Sequence, residues 1–263
     1  MKPILSARGL VMQFGGLRAV HDFNLDLSPG ELVGLIGPNG AGKTTVFNML
    51  TGVYEPTEGT IELEDRKGGV EVISGLAPHK ITRKGVARTF QNIRLFKSMT
   101  VWENVSIAHH FRVPYSLAQG ILRLPPFGKA EAELRQEIQE LLTIFKIEAK
   151  ADWQAANLPY GEQRKLEIVR ALASKPKVLL LDEPAAGMNP QETNELMDLI
   201  RFIKERYNLT VLLIEHDMNL VMGICERLVV LDYGRTIAQG LPAEIRANPV
   251  VIKAYLGEDA VHA

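Results

Sequence analysis

Nine consecutive residues, Gly37-Pro-Asn-Gly-Ala-Gly-Lys-Thr-Thr45, combine three glycines with a lysine and two hydroxyls. Glycines let a main chain curl until its N–H groups converge on one point, which is what a phosphate requires. An apolar run precedes the loop and a helical pattern follows it, so the loop sits where a helix N-terminus adds its dipole. In that setting Lys43 would reach the β- and γ-phosphates of a nucleoside triphosphate, and the Thr44 hydroxyl would ligate magnesium. Gly37, Pro38, Asn39, Gly40, Ala41, Gly42 and Thr45 would complete the cradle. A plain glycine turn capping a helix is the bland alternative, and the length of the match disfavours it.

A second segment, Val178-Leu-Leu-Leu-Asp-Glu183, reads as a buried strand that ends in two acids. Asp182 at the strand end can hold magnesium or one of its waters. Glu183, one step on, can orient and polarise the water that attacks a γ-phosphate. Alone the pattern is weak, since many strands run into polar loops. Downstream of a phosphate loop it gains force.

The elements that must position these groups follow from periodicity and turn residues. Strands are expected from Ile4 to Phe14, Ala19 to Leu27 and Glu31 to Ile36, parted by Gly15-Gly16 and Ser28-Pro29-Gly30. A helix from Lys43 to Leu50 ends before Gly52, placed as a C-cap. Thr60 to Glu64 is a strand, and the polar turn Asp65-Arg-Lys-Gly-Gly69 returns Val70 to Ile73 as a hairpin. From Val101 to Lys150 the pattern is mostly helical, interrupted at Leu124-Pro-Pro-Phe-Gly128. Leu134, Ile138, Leu141, Leu142 and Phe145 form an apolar stripe from Lys129 to Phe145, which reads as packing on its own domain rather than as a lipid-binding face. The last third alternates: helix Glu162 to Ala173, strand Lys177 to Leu181, helix Gln191 to Arg206, strand Thr210 to Ile214, helix Met218 to Gly223, strand Leu228 to Leu231. That alternation predicts an α/β fold with a mostly parallel core sheet covered on both faces.

Composition narrows the function classes. The 263 residues suffice for one large or two joined domains, and 46% hydrophobic with 23% charged residues is a globular balance. Thirty basic against 31 acidic residues leave a net charge of −1, which argues against nucleic acid as the main partner. A single cysteine, Cys225, excludes an internal disulfide and fits a reducing compartment; it reads as buried filler. Arg8 breaks the N-terminal apolar run, so no signal peptide is expected. The longest apolar runs are strand-sized, which predicts a cytosolic chain able to dock on a membrane protein.

Between the two chemical segments lies Leu158-Pro-Tyr-Gly-Glu-Gln-Arg164, which resembles the signature motif of ABC ATPases. Thr89-Phe-Gln91 resembles that family's glutamine loop, and Leu213-Ile-Glu-His-Asp217 resembles its switch-histidine segment. Phe14 stands where the family has an aromatic that stacks on adenine. The resemblance spans about residues 4 to 240. It implies a phosphate-loop ABC ATPase core of residues 1–91 and 158–263, with an N-terminal antiparallel β region, a C-terminal extension, and a helical subdomain, 92–157, inserted between glutamine loop and signature.

By that resemblance the chain hydrolyses ATP to ADP and phosphate, with magnesium, in a head-to-tail dimer that sandwiches two nucleotides. Tyr160, Gly161 and Glu162 would face the ATP bound by the opposite subunit. Gln91 would ligate magnesium and sense the transporter interface, and His216 would bond the γ-phosphate. Two departures stand out. Pro159 replaces the signature serine, removing a hydroxyl and an N–H. Asn189 stands in a loop that usually carries aspartate, and it is placed as an N-cap, with Pro190 at the first helical position and Glu192 three residues after it.

The Tyr-Gly signature, Gly187-Met-Asn-Pro190, Ala87-Arg-Thr-Phe-Gln-Asn-Ile-Arg-Leu-Phe96 and Asn248-Pro-Val-Val-Ile-Lys-Ala-Tyr-Leu-Gly257 are most similar to the ATP-binding subunits of branched-chain amino-acid importers. Their implied partners are integral membrane permease subunits, a second ATP-binding subunit (a heterodimer favoured, a homodimer open) and, indirectly, a periplasmic binding protein. The implied location is the cytoplasmic face of the inner membrane. Urea or amide importers, lipopolysaccharide export and soluble, non-transport ABC ATPases are the alternatives. Lys43→Ala strips a cation from a polyanion site, so ATPase activity is expected to fall at least about a hundredfold, read by phosphate release from the purified variant.

Overall fold

The computed structural model describes residues 2–65, 68–110 and 125–256. Arg66 and Lys67 of the expected polar turn, the stretch 111–124 inside the helical region, and Gly257 lie outside the described residues.

Among the described residues ten strands form two sheets. The first is antiparallel, in the order β2 (Leu17–Leu27), β1 (Leu5–Phe14), β4 (Glu58–Glu64), β5 (Val70–Val72). The second follows the order β10 (Arg235–Gly240), β9 (Arg227–Asp232), β3 (Leu32–Ile36), β8 (Thr210–Ile214), β7 (Val178–Asp182), β6 (Val86–Arg88). Within it β9, β3, β8, β7 and β6 run parallel, and only β10 is antiparallel, hairpinned on β9. Parallel strands need crossovers, and helices α1 (Lys43–Leu50), α5 (Tyr160–Ala173), α6 (Pro190–Tyr207) and α7 (Met218–Ile224) lie between them in the chain.

Strand alternation divides the core into two layers. Leu179, Leu181, Val211, Leu213, Leu228 and Val230 face the helical side, where α5 and α6 bury Leu166, Val169, Leu196 and Ile200. Their neighbours Val178, Leu180, Leu212, Ile214, Val229 and Leu231 face the antiparallel sheet and α1, among Leu5, Phe23, Ile61 and Phe47. Every residue of β3, β7 and β8 is buried, which is why these strands read as continuous apolar runs.

Helices α3 (Val101–His110) and α4 (Pro125–Ile144) pack on α5 and share its core through Val101, Val105, Ile138 and Leu142. The expected stripe is therefore internal packing. Helix α4 begins at Pro125, inside the break read at Leu124–Gly128 and before the expected start at Lys129, because proline is tolerated in a first turn, where no N–H is required. Elements that the pattern did not announce are α2 (Pro78–Lys84), the short β6, the β10 strand, α8 (Pro242–Ala247) and α9 (Pro249–Leu256). A three-residue strand such as β6 is too short to show alternation.

Cys225 is buried, and burial pushes its thiol well above the ordinary thiol range, with the nearby carboxylates of Glu226 and Glu215 adding to the effect. Asn189 caps α6: its Oδ1 accepts from the Glu192 N–H at 2.9 Å, while the Asn189 N–H donates to Glu192 Oε2 at 3.0 Å. Asn189→Ala removes the side-chain acceptor of this box and leaves its main-chain N–H. It is expected to cost about 1 kcal/mol and lower Tm by roughly 2–4 °C in a calorimetric scan.

Candidate functional site

Strand order reverses at β3, which has β8 on one side and β9 on the other. A crevice opens at the carboxyl ends of parallel strands at such a point. The loop Gly37–Gly42 leaves β3 there and runs into α1. Gly37, Gly40 and Gly42 have φ of 149°, 80° and 101°. A Cβ on Gly37 would lie 2.0 Å from the Leu231 carbonyl oxygen, and one on Gly42 would lie 2.9 Å from that of Ala19. Only glycine permits either approach.

A cleft of about 670 Å³ is lined by Asn39 to Thr45, by Gln91, Glu183 and His216, and by Leu17, Arg18, Ala19, His21 and Tyr233. Six segments separated along the chain thus meet around one space. Lys43 is buried and folds back on its own loop, donating to the carbonyl oxygens of Gly37 at 2.6 Å and Pro38 at 2.9 Å. Burial lowers its pKa, while the negative charges of Glu183 and Asp182 oppose that shift. The ammonium is held at the cradle by neutral acceptors that a phosphate oxygen would outcompete.

Glu183 follows the end of β7 with a left-handed φ of 47°, a conformation that costs a non-glycine residue and that clusters at functional sites. Its N–H donates to the Ile214 carbonyl of β8 at 2.9 Å, which holds the turn. Its carboxylate is shared: Gln91 Nε2 donates to Oε2 at 2.8 Å, and His216 Nε2 lies 2.5 Å from Oε1. Glu215, buried behind them, accepts from the Ala185 N–H at 2.8 Å, and its pKa is raised chiefly by that burial.

Asp182 is buried at the end of β7. Its Oδ2 accepts from Arg88 Nη2 at 2.7 Å, and its Oδ1 is buried without a partner. Gln91 turns its amide nitrogen to Glu183, which leaves its carbonyl oxygen for a cation. Among the described residues no cluster of three His, Cys, Asp or Glu side chains exists that would hold a metal unaided. One carboxylate, the Thr44 hydroxyl and the Gln91 amide form an all-oxygen set. That set fits magnesium, which usually completes its shell with water and nucleotide phosphates.

Two expected site segments, Phe14 and Tyr160 to Glu162, stand outside the cleft. Phe14 ends β1, 42% exposed, with its ring edge-on to Tyr54 at 5.3 Å. Tyr233, 85% exposed in the β9–β10 turn, is the aromatic that lines the cleft, and no sequence pattern marked it. Tyr160, Gly161 and Glu162 open α5 away from this chain's own phosphate loop. Pro159 is the N-cap of α5, and no side chain caps the helix. The Tyr160, Gly161 and Glu162 amides therefore lack acceptors within the helix. Glu162 pairs with Lys150 Nζ at 2.6 Å.

One arrangement was invisible in the sequence. Arg164 and Glu167, both fully buried on α5, grip the glutamine loop from opposite polarities. Arg164 donates to the Phe90 carbonyl at 2.6 Å and to that of Gln91, while Glu167 Oε1 accepts from the Phe90 and Arg94 N–H groups at 3.3 and 3.2 Å. Their spacing of three on a helix hints at an ion pair and nothing more.

A phosphate cradle at the crossover of a largely parallel sheet, a helical insertion and acids at the end of the neighbouring strand define a P-loop ATP-binding cassette. The family model described as ABC transporter matches residues 20–186. A second, described as branched-chain amino acid ATP-binding cassette transporter, matches residues 235–261. The chain belongs to the ATP-binding cassettes of ABC transporters.

It is 51% identical over 257 residues to the high-affinity branched-chain amino acid transport ATP-binding protein LivG of Escherichia coli, covering 98% of this chain and 99% of that one. Identity to BraF of Pseudomonas aeruginosa, which carries the same description, is 50% with the same coverage. The lipopolysaccharide export ATP-binding protein LptB of Escherichia coli is 35% identical over 97% of this chain and 98% of its own. Among solved structures, the ADP conformation of MJ1267, an ATP-binding cassette of an ABC transporter, superposes with a TM-score of 0.83 at 29% identity, covering 98% of this chain and 100% of that one.

Glu183→Gln keeps the shape of the side chain and removes the negative charge that is expected to polarise water. Turnover is expected to fall at least about a hundredfold while ATP affinity holds. Sedimentation with ATP and magnesium should show only weak dimers of this variant, and adding Pro159→Ser, which restores a donor at the head of α5, should tighten them.

Proposed function

We propose that this chain is the ATP-hydrolysing subunit of an importer of branched-chain amino acids, bound to permease subunits at the cytoplasmic face of the inner membrane. The observation that carries the ATPase reading is the cleft in which Lys43, Gln91, Glu183 and His216 converge from four separate segments. Near-identical length and about half-identity to LivG and BraF support the cargo.

In this reading the loop amides and Lys43 hold the β- and γ-phosphates. Glu183 accepts a hydrogen bond from the attacking water and draws off its proton. His216 turns its Nε2–H from Glu183 to a γ-phosphate oxygen, where it opposes the charge that builds in the transition state. Thr44, Asp182 and Gln91 would hold magnesium, which supplies positive charge to the phosphate oxygens. Tyr160, Gly161 and Glu162 would close over the ATP of a second ATP-binding subunit, a heterodimeric partner being favoured.

Among the described residues no helix is long and apolar enough to cross a membrane. A groove of about 580 Å³ between the glutamine loop, α3 and α5 suits a helix from that permease. Arg94, Leu95, Phe96, Ile107, Ala108 and Arg170 line it, and Phe96 is half exposed.

The decisive experiment reconstitutes the chain with the membrane proteins that co-purify with it, in vesicles charged with magnesium ATP. ATP-dependent uptake of leucine, isoleucine or valine is expected, and Phe96→Asp should lose uptake far more than it loses hydrolysis by the isolated subunit. Uptake of urea or amides instead, or co-purification with ribosomes, would overturn the cargo or the transport role.

A further inference from the structure

Arg88 has no role assigned to it above, yet its guanidinium touches three segments of the site. It ends β6, the edge strand next to β7, so its side chain lies beside the carboxyl end of β7. One amino group, Nη2, donates to Asp182 Oδ2 at 2.7 Å. The other, Nη1, donates to Asn48 Oδ1 at 2.6 Å and to Thr51 Oγ1 at 3.3 Å, both on or next to the helix that follows the phosphate loop. Its Cζ lies 5.4 Å from the Phe47 ring centre and 5.1 Å from that of Phe90, just before Gln91. The side chains of Arg88 and Asp182 are 6% and 2% exposed.

We infer that Arg88 is a positioning residue for Asp182: it ties down one carboxylate oxygen and presents the other, the unpartnered Oδ1, to the magnesium of bound nucleotide. The inference rests on the proposed role of Asp182 as a metal ligand. A planar fork is needed for the task, because one group must face the acid while the other is anchored on α1. A lysine supplies charge from a single point and cannot span both.

Two effects of Arg88 on a cation oppose one another. Its positive charge weakens the pull of Asp182, whereas its hydrogen bond orients the carboxylate. Orientation wins here, because a carboxylate this buried that loses its partner turns to other donors. Partners that orient a metal ligand are typically worth about 10–100-fold in metal affinity.

The test measures binding of a fluorescent, non-hydrolysable ATP analogue in excess magnesium and in EDTA, and takes the ratio of the two dissociation constants as the magnesium-linked gain. For Arg88→Met the gain should fall about tenfold, with affinity in EDTA unchanged. Arg88→Lys should recover part of it. Asn48→Ala, which removes only the anchor, should lower it less than Arg88→Met does.

A merely structural role for Arg88 would lower both affinities together or lower Tm at constant gain. Should Arg88→Met fail to fold, Arg88→Lys and Asn48→Ala are read by the same ratio. The proposal is overturned if the gain stays within about twofold of the unsubstituted chain in every folded variant while Asp182→Asn abolishes it. If Asp182→Asn also leaves the gain intact, the metal assignment fails and the proposal falls with it.

Discussion

The site depends on a backbone approach that admits no side chain. The phosphate loop is wedged between the end of β9 and the start of β2, where Gly37 and Gly42 lie closer to neighbouring carbonyls than any Cβ permits. With the loop seated there, its curl and the start of α1 follow, and Lys43 is drawn back over the cradle onto its own carbonyls. The acids arrive because β8 and β7 are the next strands out from β3. Asp182, Glu183 and His216 therefore sit at one rim without any local preference for it.

Charge inside this apolar frame is handled by pairing rather than exposure. Asp182 has Arg88, Glu167 has Arg164, and Glu183 is bracketed by Gln91 and His216. A buried pair adds little net stability, but removal of one partner is costly, so such pairs specify geometry more than they strengthen the fold. The Arg164–Glu167 pair has a further consequence. Because it holds the glutamine loop by main-chain carbonyls and N–H groups, the loop's position is tied to α5, the helix that starts with the signature segment. Glu183, Gln91 and α5 are thus joined by hydrogen bonds within one subunit.

The C-terminal elements complete the frame from the other side. The β9–β10 turn brings Tyr233 to the cleft, and its Gly234 makes the same kind of close contact with Ala19 that Gly42 does. The N–H of His21 donates to the Gly234 carbonyl at 2.8 Å, so this turn is fastened to β2 directly beside the phosphate loop.

By itself the sequence determined what local chemistry determines. The glycine-rich loop between strand and helix, the apolar strands that end in acids, the amphipathic helix α4 and the Asn189 capping box all rest on residues within a few positions of each other. The family was legible for the same reason, since its motifs are short and ordered along the chain. Only tertiary structure decided that Gln91 and His216 share the carboxylate of Glu183, that Phe14 stands off the cleft while Tyr233 lines it, and that Arg88 meets Asp182 across 94 positions of chain. Such contacts depend on strand order and on desolvation of opposite charges. No spacing encodes either, because a lone arginine on a three-residue edge strand looks the same whether it faces water or a buried acid.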